Sequence, residues 1–142
     1  RIPRKNILPL DGTPLIGYSI KAAIESNCFD QVIVSSEDKE ILNIALDFGA
    51  SVDVRPQSMA GDAVTKVQVV KEFLSRPNNL GKFENVCALL PTCPFRSAMH
   101  IKEAFAQFLS NEPKFLIGTT EYDFPIQLAL NATSDNLAKM QP

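Results

Sequence analysis

Short β-branched runs alternate with stretches whose apolar residues recur every three or four positions. This alternation constrains the fold of the 142-residue chain more than any other feature. Residues 31–35, Gln-Val-Ile-Val-Ser, lack polar alternation, the pattern of a strand buried on both faces. Before them, Leu15, Ile16, Ile20, Ala23 and Ile24 fall on one helical face. After them, residues 38–48 return to helical spacing through Ile41, Ala45 and Phe48. Residues 51–54 form a weak strand, 55–62 a loop carrying Pro56 and Gly61, and 65–74 a third helix with Val67, Val70 and Leu74 on one side. A second apolar strand is predicted over 85–90, Asn-Val-Cys-Ala-Leu-Leu, where Pro91 and Pro94 break it. The clearest helix covers 98–109, with Ile101, Ala104, Phe105 and Phe108 in one stripe. A strand over 115–119 follows, then a hairpin of 126–130 and 137–140 about the turn Thr133-Ser134-Asp135-Asn136. Such an order predicts an α/β fold, a mainly parallel sheet with helices on both faces. The length suits one domain with its own core, spanning 1–142. Ligands on such sheets sit beyond the carboxyl ends of the strands, so the loops after Ser35, Val54 and Leu90 are the ones to watch.

The opening stretch, residues 1–10, is the other candidate. Arg1, Arg4 and Lys5 are three of the fourteen basic residues, and Pro3 and Pro9 mark a loop and not a helix or central strand. A stiff cationic loop can hold a polyphosphate; a solvated charged terminus has the same composition. Asp11-Gly12-Thr13-Pro14 reads as a turn with proline at a helix start. The formal net charge of −2 provides no global field for nucleic acid or anionic lipid, so any basic function is local. No apolar run approaches the ~20 residues of a membrane span, and no signal-peptide pattern is present. Cys28, Cys87 and Cys93 form no Cys-x-x-Cys pair, and with a single histidine, His100, a Cys/His zinc site is not expected. That cysteine usage is the usage of a reducing cytoplasm. The chain opens on Arg and stops on Pro142, which reads as a piece of a longer protein.

Within the loops, Leu90-Pro-Thr-Cys-Pro-Phe-Arg96 joins an apolar run to a helix. It is either a rigid ligand-facing turn offering Thr92 and Cys93, or an ordinary strand–helix connection with Ser97 as the cap. Cys93 has no sequence neighbour to make it a thiolate nucleophile. His100 reads as a partly exposed surface residue. Glu37 and Asp38 either bind a cation or, as the stronger reading, complement the helix N-terminus. Gly49 marks the end of that helix.

These blocks, taken together, resemble a known family. Arg1-Ile-Pro-Arg-Lys-Asn-Ile7, Pro9-Leu-Asp-Gly-Thr-Pro-Leu-Ile16, Val32-Ile-Val-Ser-Ser-Glu-Asp38, Arg55-Pro56 with Ala60-Gly-Asp62, and Leu90-Pro-Thr-Cys-Pro-Phe-Arg96 occur in the order of the acylneuraminate cytidylyltransferases and their legionaminate and pseudaminate relatives. The resemblance implies a Rossmann-like nucleotidyltransferase fold of the nucleotide-diphospho-sugar transferase type, a three-layer sandwich. It also implies an enzyme that transfers CMP from CTP to the anomeric 2-hydroxyl of a nine-carbon sugar acid and releases pyrophosphate, with Mg²⁺ assisting. The two substrates, no nucleic acid and no membrane, and a cytoplasmic homodimer are the expected associations.

Residue by residue, the resemblance places Arg1 and Lys5 on the triphosphate, as cations offsetting charge on the leaving pyrophosphate. It places Asn6 beside nucleotide and sugar, Arg55 near the cytosine and Thr65 towards the nucleoside. Pro91 and Thr92, with Cys93, fall in the turn that holds ribose and sugar acid. Leu90 stands where the family usually has Gln and Cys93 where it has Ser, so a hydrogen bond is lost or supplied elsewhere. A degenerate nucleotide-binding relative, or a transferase for another sugar or nucleotide, are the alternatives this leaves. Lys66 also departs from the small hydroxyl residue common after Thr65. The family's first strand with its glycine-rich loop would precede Arg1, and its Mg²⁺ ligands and dimerising segment would follow Pro142.

Overall fold

The structure is a computed structural model that describes residues 2, 4–61, 63–111, 113–119, 121, 130–132 and 138–140. A single 3₁₀ turn, Lys5–Ile7, breaks the opening loop, and it leads into strand β1, Pro9–Leu10. β1 pairs antiparallel with β2, Thr13–Pro14, in register Leu10↔Thr13. Asp11 and Gly12 connect them with φ of 47° and 74°, the two positive values that a two-residue hairpin of this hand requires. Helix α1, Leu15–Ser26, follows directly.

α1 is buried on two sides because it packs on α4, Ala98–Asn111, as well as on the core. Its buried set is therefore wider than one stripe: Ser19, Ala22 and Ser26 join Ile16, Ile20 and Ala23, while Ile24 is 40 % exposed. Gly17 is the point of closest approach, since a Cβ there would come within 2.5 Å of the Phe48 ring. Strand β3, Ile33–Ser36, then leads through Asp38 into α2, Lys39–Asp47. The Asp38 carboxylate caps α2 by accepting the Glu40 N–H at 2.8 Å. The helix ends with Gly49 at φ 85°, where the Gly49 and Ala50 N–H groups bond the Leu46 and Ala45 carbonyls, a Schellman arrangement.

β4, Ser51–Val54, pairs parallel with β3 in register Ile33↔Ser51 through Ser36↔Val54. Ile16, Ile20, Ala45 and Ala50 form the centre of the core, with Ile7, Val32, Val34, Ile41, Ile44 and Phe48 against it. Ile7 thus nails the opening loop to the core. α3, Lys66–Ser75, carries Val69, Val70, Phe73 and Leu74 half-buried; Val67, expected on the packed side, is 61 % exposed. An antiparallel pair of β5, Leu130–Ala132, and β6, Ala138–Met140, closes the chain in register Leu130↔Met140.

The architecture is mixed α/β, as the alternation predicts, with one parallel pair and two antiparallel pairs among the described residues. Several expected features differ. β3 is half-buried and not buried on both faces until Ser36. Residues 85–90 and 115–119 form no strand, and most of them are exposed. A strand needs a neighbour for its backbone N–H and C=O groups. β3 has β4 on one edge only, and a cavity of about 350 Å³ lies between residues 33–36 and Cys87, Leu89 and Pro91. The 85–90 run therefore meets no ladder. The late hairpin sits at 130–132 and 138–140; residues 126–129 and the turn 133–136 lie outside the described residues.

Candidate active site

The opening loop is held in place by charge. Arg4 adopts φ 53°, and its guanidinium donates to Asp38 at 3.3 Å and to Glu40. The bond to Glu40, with both carboxylates adding attraction, raises the Arg4 pKa above its ordinary value. Arg4 thus clamps the loop to the start of α2. The next two residues, Lys5 and Asn6, line two different cavities.

The first cavity, about 350 Å³, is lined by Asn6 from the opening loop, Ser35, Ser36 and Glu37 from the end of β3, Arg55 just beyond β4, and Pro91. It also runs back along β3 to Gln31 and past Ile16 and Ile20 of α1, and its charged end, Glu37 and Arg55, lies at the carboxyl ends of the two parallel strands, where the topology places a ligand. Arg55 is held there by Glu37, whose Oε2 accepts from its Nε at 3.1 Å and its Nη2 at 2.6 Å. The second cavity, about 690 Å³, is lined by Lys5, Thr92, Cys93 and Arg96 with apolar Ile2, Leu8, Leu10, Leu15 and Phe95. Consecutive residues of the same two segments, 5–6 and 91–92, so divide between the two cavities.

The turn over 90–96 is anchored through one carbonyl. Leu90 O accepts from the Ser19 hydroxyl of α1 at 3.1 Å and from Arg96 Nη2 at 3.0 Å. The position that departs from the family pattern contributes its backbone, and Ser19 is the buried side chain that fixes it. Arg96 Nη1 is occluded with no protein acceptor, an energetically costly state for a donor that a ligand or water oxygen would relieve. Ser97 caps α4 as expected and is joined by His100: the Ser97 N–H donates to His100 Nδ1 at 3.1 Å and the His100 N–H to Ser97 Oγ at 3.4 Å. His100 is therefore the return half of a capping box, a role readable from the three-residue spacing.

Of the site residues expected from sequence, Asn6, Arg55 and Pro91 share one cavity and Lys5, Thr92 and Cys93 the other. Arg1 lies outside the described residues, as does Asp62 of the Ala60-Gly-Asp62 block. Thr65 lines neither cavity. It is the N-cap of α3, its Oγ1 accepting the Gln68 N–H at 3.3 Å while Gln68 Oε1 accepts the Thr65 N–H at 2.7 Å. Sequence reasoning passed over Arg96, Ser19 and the pairing role of Glu37. The first could have been found as the cation closing the Pro-rich turn. The other two have no sequence signal, since 18 residues separate Glu37 from Arg55 and 71 separate Ser19 from Leu90.

The Cys87 thiol is a poor nucleophile by environment. Burial pushes the Cys87 thiol up, with nearby Arg96 opposing the shift. As for a cation, Glu37 is bound to Arg55, and Asp38 and Glu40 to Arg4. Among the described residues no three His, Cys, Asp or Glu side chains are grouped to hold a metal ion. The acidic groups present at the site do not fit as Mg²⁺ ligands; the helix-start reading agrees with the contacts of Asp38, which caps α2, whereas Glu37 pairs with Arg55.

The cytidylyltransferase family model matches residues 1–139. The chain is similar to the pseudaminic acid cytidylyltransferase of Campylobacter jejuni, 39 % identical over 99 % of this chain and 61 % of that protein. It is similar to the CMP-N,N'-diacetyllegionaminic acid synthase of Legionella pneumophila, 36 % identical over 73 % of this chain and 46 % of the relative. The N-acylneuraminate cytidylyltransferase of Escherichia coli is 33 % identical over 87 % of this chain and 29 % of its own length. The chain spans about three-fifths of the length of the first of these. With a match across nearly all of its residues, the chain belongs to the cytidylyltransferase family.

Proposed function

We propose that the protein transfers CMP from CTP to the anomeric 2-hydroxyl of a nonulosonic sugar acid and releases pyrophosphate. The observation that carries this reading is the split of two adjacent loops between two cavities, with Lys5 on one side and Asn6 and Arg55 on the other. The relatives named for pseudaminic, legionaminic and acylneuraminic acids support that class of acceptor. In the reaction the anomeric oxygen forms a bond to the α-phosphorus as the bond to the bridging oxygen breaks. Pyrophosphate leaves with that electron pair, and the hydroxyl proton passes to solvent. Positioning and charge neutralisation are the main demands of such chemistry.

Lys5 and Arg96 are the described cations of the larger cavity. They suit the phosphates and the acceptor carboxylate. Asn6 and Arg55 suit the nucleoside, and Thr92 offers a hydroxyl to the sugar. Mg²⁺ would supply further neutralisation of the phosphates when bound; the described carboxylates at the site are already paired with arginines. A homodimer in the cytoplasm is the setting we propose, with no nucleic-acid or membrane partner. No helix of the described residues is long and apolar enough to cross a membrane.

The test is pyrophosphate release from CTP by the full-length protein with pseudaminic, legionaminic and N-acetylneuraminic acids in turn. Turnover with one of them is expected, and Lys5→Ala should lower kcat/KM by roughly 10²-fold, the scale of removing one donor to a developing oxyanion. No CTP turnover with any of the three would refute the assignment. Unchanged turnover in Lys5→Ala would remove the phosphate role of the opening loop.

A further inference from the structure

Arg55 and Glu37 are the only charged side chains among the described residues lining the smaller cavity. Glu37 holds Arg55 along one edge, through Nε and Nη2 to a single carboxylate oxygen. The Arg55 backbone is fixed as well, its N–H donating to the Ser36 carbonyl at 3.0 Å. The two side chains are 22 % and 34 % exposed, sheltered enough for their charges to be felt across the cavity. Engagement of that edge leaves Nη1 and the remaining Nη2 hydrogen as a donor pair in fixed orientation. The donors are retained while the net charge is cancelled. Asn6, the other polar tip of the cavity from the opening loop, is a neutral amide.

The larger cavity has the opposite character. Lys5 and Arg96 line it, and among the described residues no carboxylate pairs with either. A phosphate is drawn to uncompensated cations and gains little from a guanidinium already neutralised by a carboxylate 2.6 Å away. We infer that Glu37 is a positioning and specificity-determining residue: it orients the Arg55 guanidinium and cancels its charge. The smaller cavity then takes an uncharged hydrogen-bond acceptor of the nucleoside and turns phosphate away to the side of Lys5. This rests on reading the smaller cavity as the nucleoside side of the proposed site. It adds a negative determinant, a group that acts by making the wrong docking unfavourable.

Glu37→Gln in the full-length protein tests it, because the amide keeps the size and an acceptor oxygen and removes only the charge. Calorimetric titration with inorganic pyrophosphate should show roughly tenfold tighter binding at low ionic strength, a gain that disappears in high salt. The change in CTP turnover should fall on KM and not on kcat. In Glu37→Gln/Arg55→Gln the pyrophosphate gain should vanish, since no uncompensated guanidinium remains. If Glu37→Gln folds poorly, Arg55→Gln alone reads the same pair from the other side: it should weaken CTP binding without tightening pyrophosphate. Unchanged pyrophosphate affinity in Glu37→Gln, a gain that persists in the double variant, or tighter pyrophosphate binding by Arg55→Gln would overturn the inference. A wild-type protein inert towards CTP would refute the proposed function instead, and the pyrophosphate titration would still decide the role of Glu37.

Discussion

Asp53 is the residue through which three elements are tied, and its removal is the sharpest test of the packing described above. Its Oδ2 accepts from the Ser35 hydroxyl of β3 at 2.7 Å, and its Oδ1 accepts from Arg76, just past the end of α3. Arg76 also holds Glu72 through Nε at 2.9 Å and Nη2 at 2.6 Å and lies over the Phe73 ring at 5.5 Å. An exposed ion pair contributes about 0–1 kcal/mol, and breaking a buried one costs about 3–5 kcal/mol. Side-chain exposures of 10 % for Asp53 and 27 % for Arg76 place this pair between those limits. Arg76 retains Glu72 when Asp53 is lost, which lowers the cost; Ser35 loses its charged acceptor, which raises it. Asp53→Ala should therefore destabilise by about 2–3 kcal/mol, most of it from hydrogen bonds to a charged group. Asp53→Asn, which keeps an acceptor for Ser35, should lose about half as much. Urea unfolding of the chain followed by far-ultraviolet circular dichroism reads this as a lower midpoint with an unchanged slope. A double-mutant cycle with Arg76→Met should give a coupling of about 1 kcal/mol. A cost for Asp53→Ala within about 0.5 kcal/mol, the range of ordinary surface substitutions, would refute the reasoning and leave α3 docked by its apolar side alone.

Gly17→Ala should be destabilising by about 1–2 kcal/mol in spite of alanine's better helix propensity, because the new methyl meets Phe48 ring atoms at 2.5 and 2.7 Å. In a Phe48→Leu background the same change should become neutral or stabilising. Thermal melts of the wild type and the three variants check the reversal, and stabilisation by Gly17→Ala in the wild-type background would contradict the close approach. Acid should weaken the α3 anchor: Arg76 holds the Glu72 carboxyl below its ordinary pKa. A depressed folded-state pKa contributes stability that is present above the unfolded value, about 4.3, and is lost as pH falls through the folded one. Unfolding midpoints between pH 6 and pH 3 should thus fall less steeply at the acid end in Glu72→Gln, and parallel profiles would exclude the linkage.

Local order was legible along the chain, because helices and their ends are written in neighbouring residues. The 3.6-residue recurrence placed α1, α2 and α4, the glycine at 49 stopped α2, and Asp11-Gly12 marked a turn. The basic and proline-marked blocks that resemble a family also pointed to the segments that line both cavities. Tertiary structure decided the rest, for reasons that act between distant residues. Residues 85–90 have the composition of a strand, yet a strand is a property of a pair, and no strand pairs with them among the described residues. Thr65 has the hydroxyl of a ligand contact, and the start of α3 takes it up as a cap. Arg4 and Arg55 look equally free in the sequence; carboxylates 34 and 18 residues away determine that one clamps a loop and the other faces a cavity with its charge cancelled. The residue types that could carry the chemistry were visible in the chain, but their electrostatic state depended on partners that only folding brings within reach.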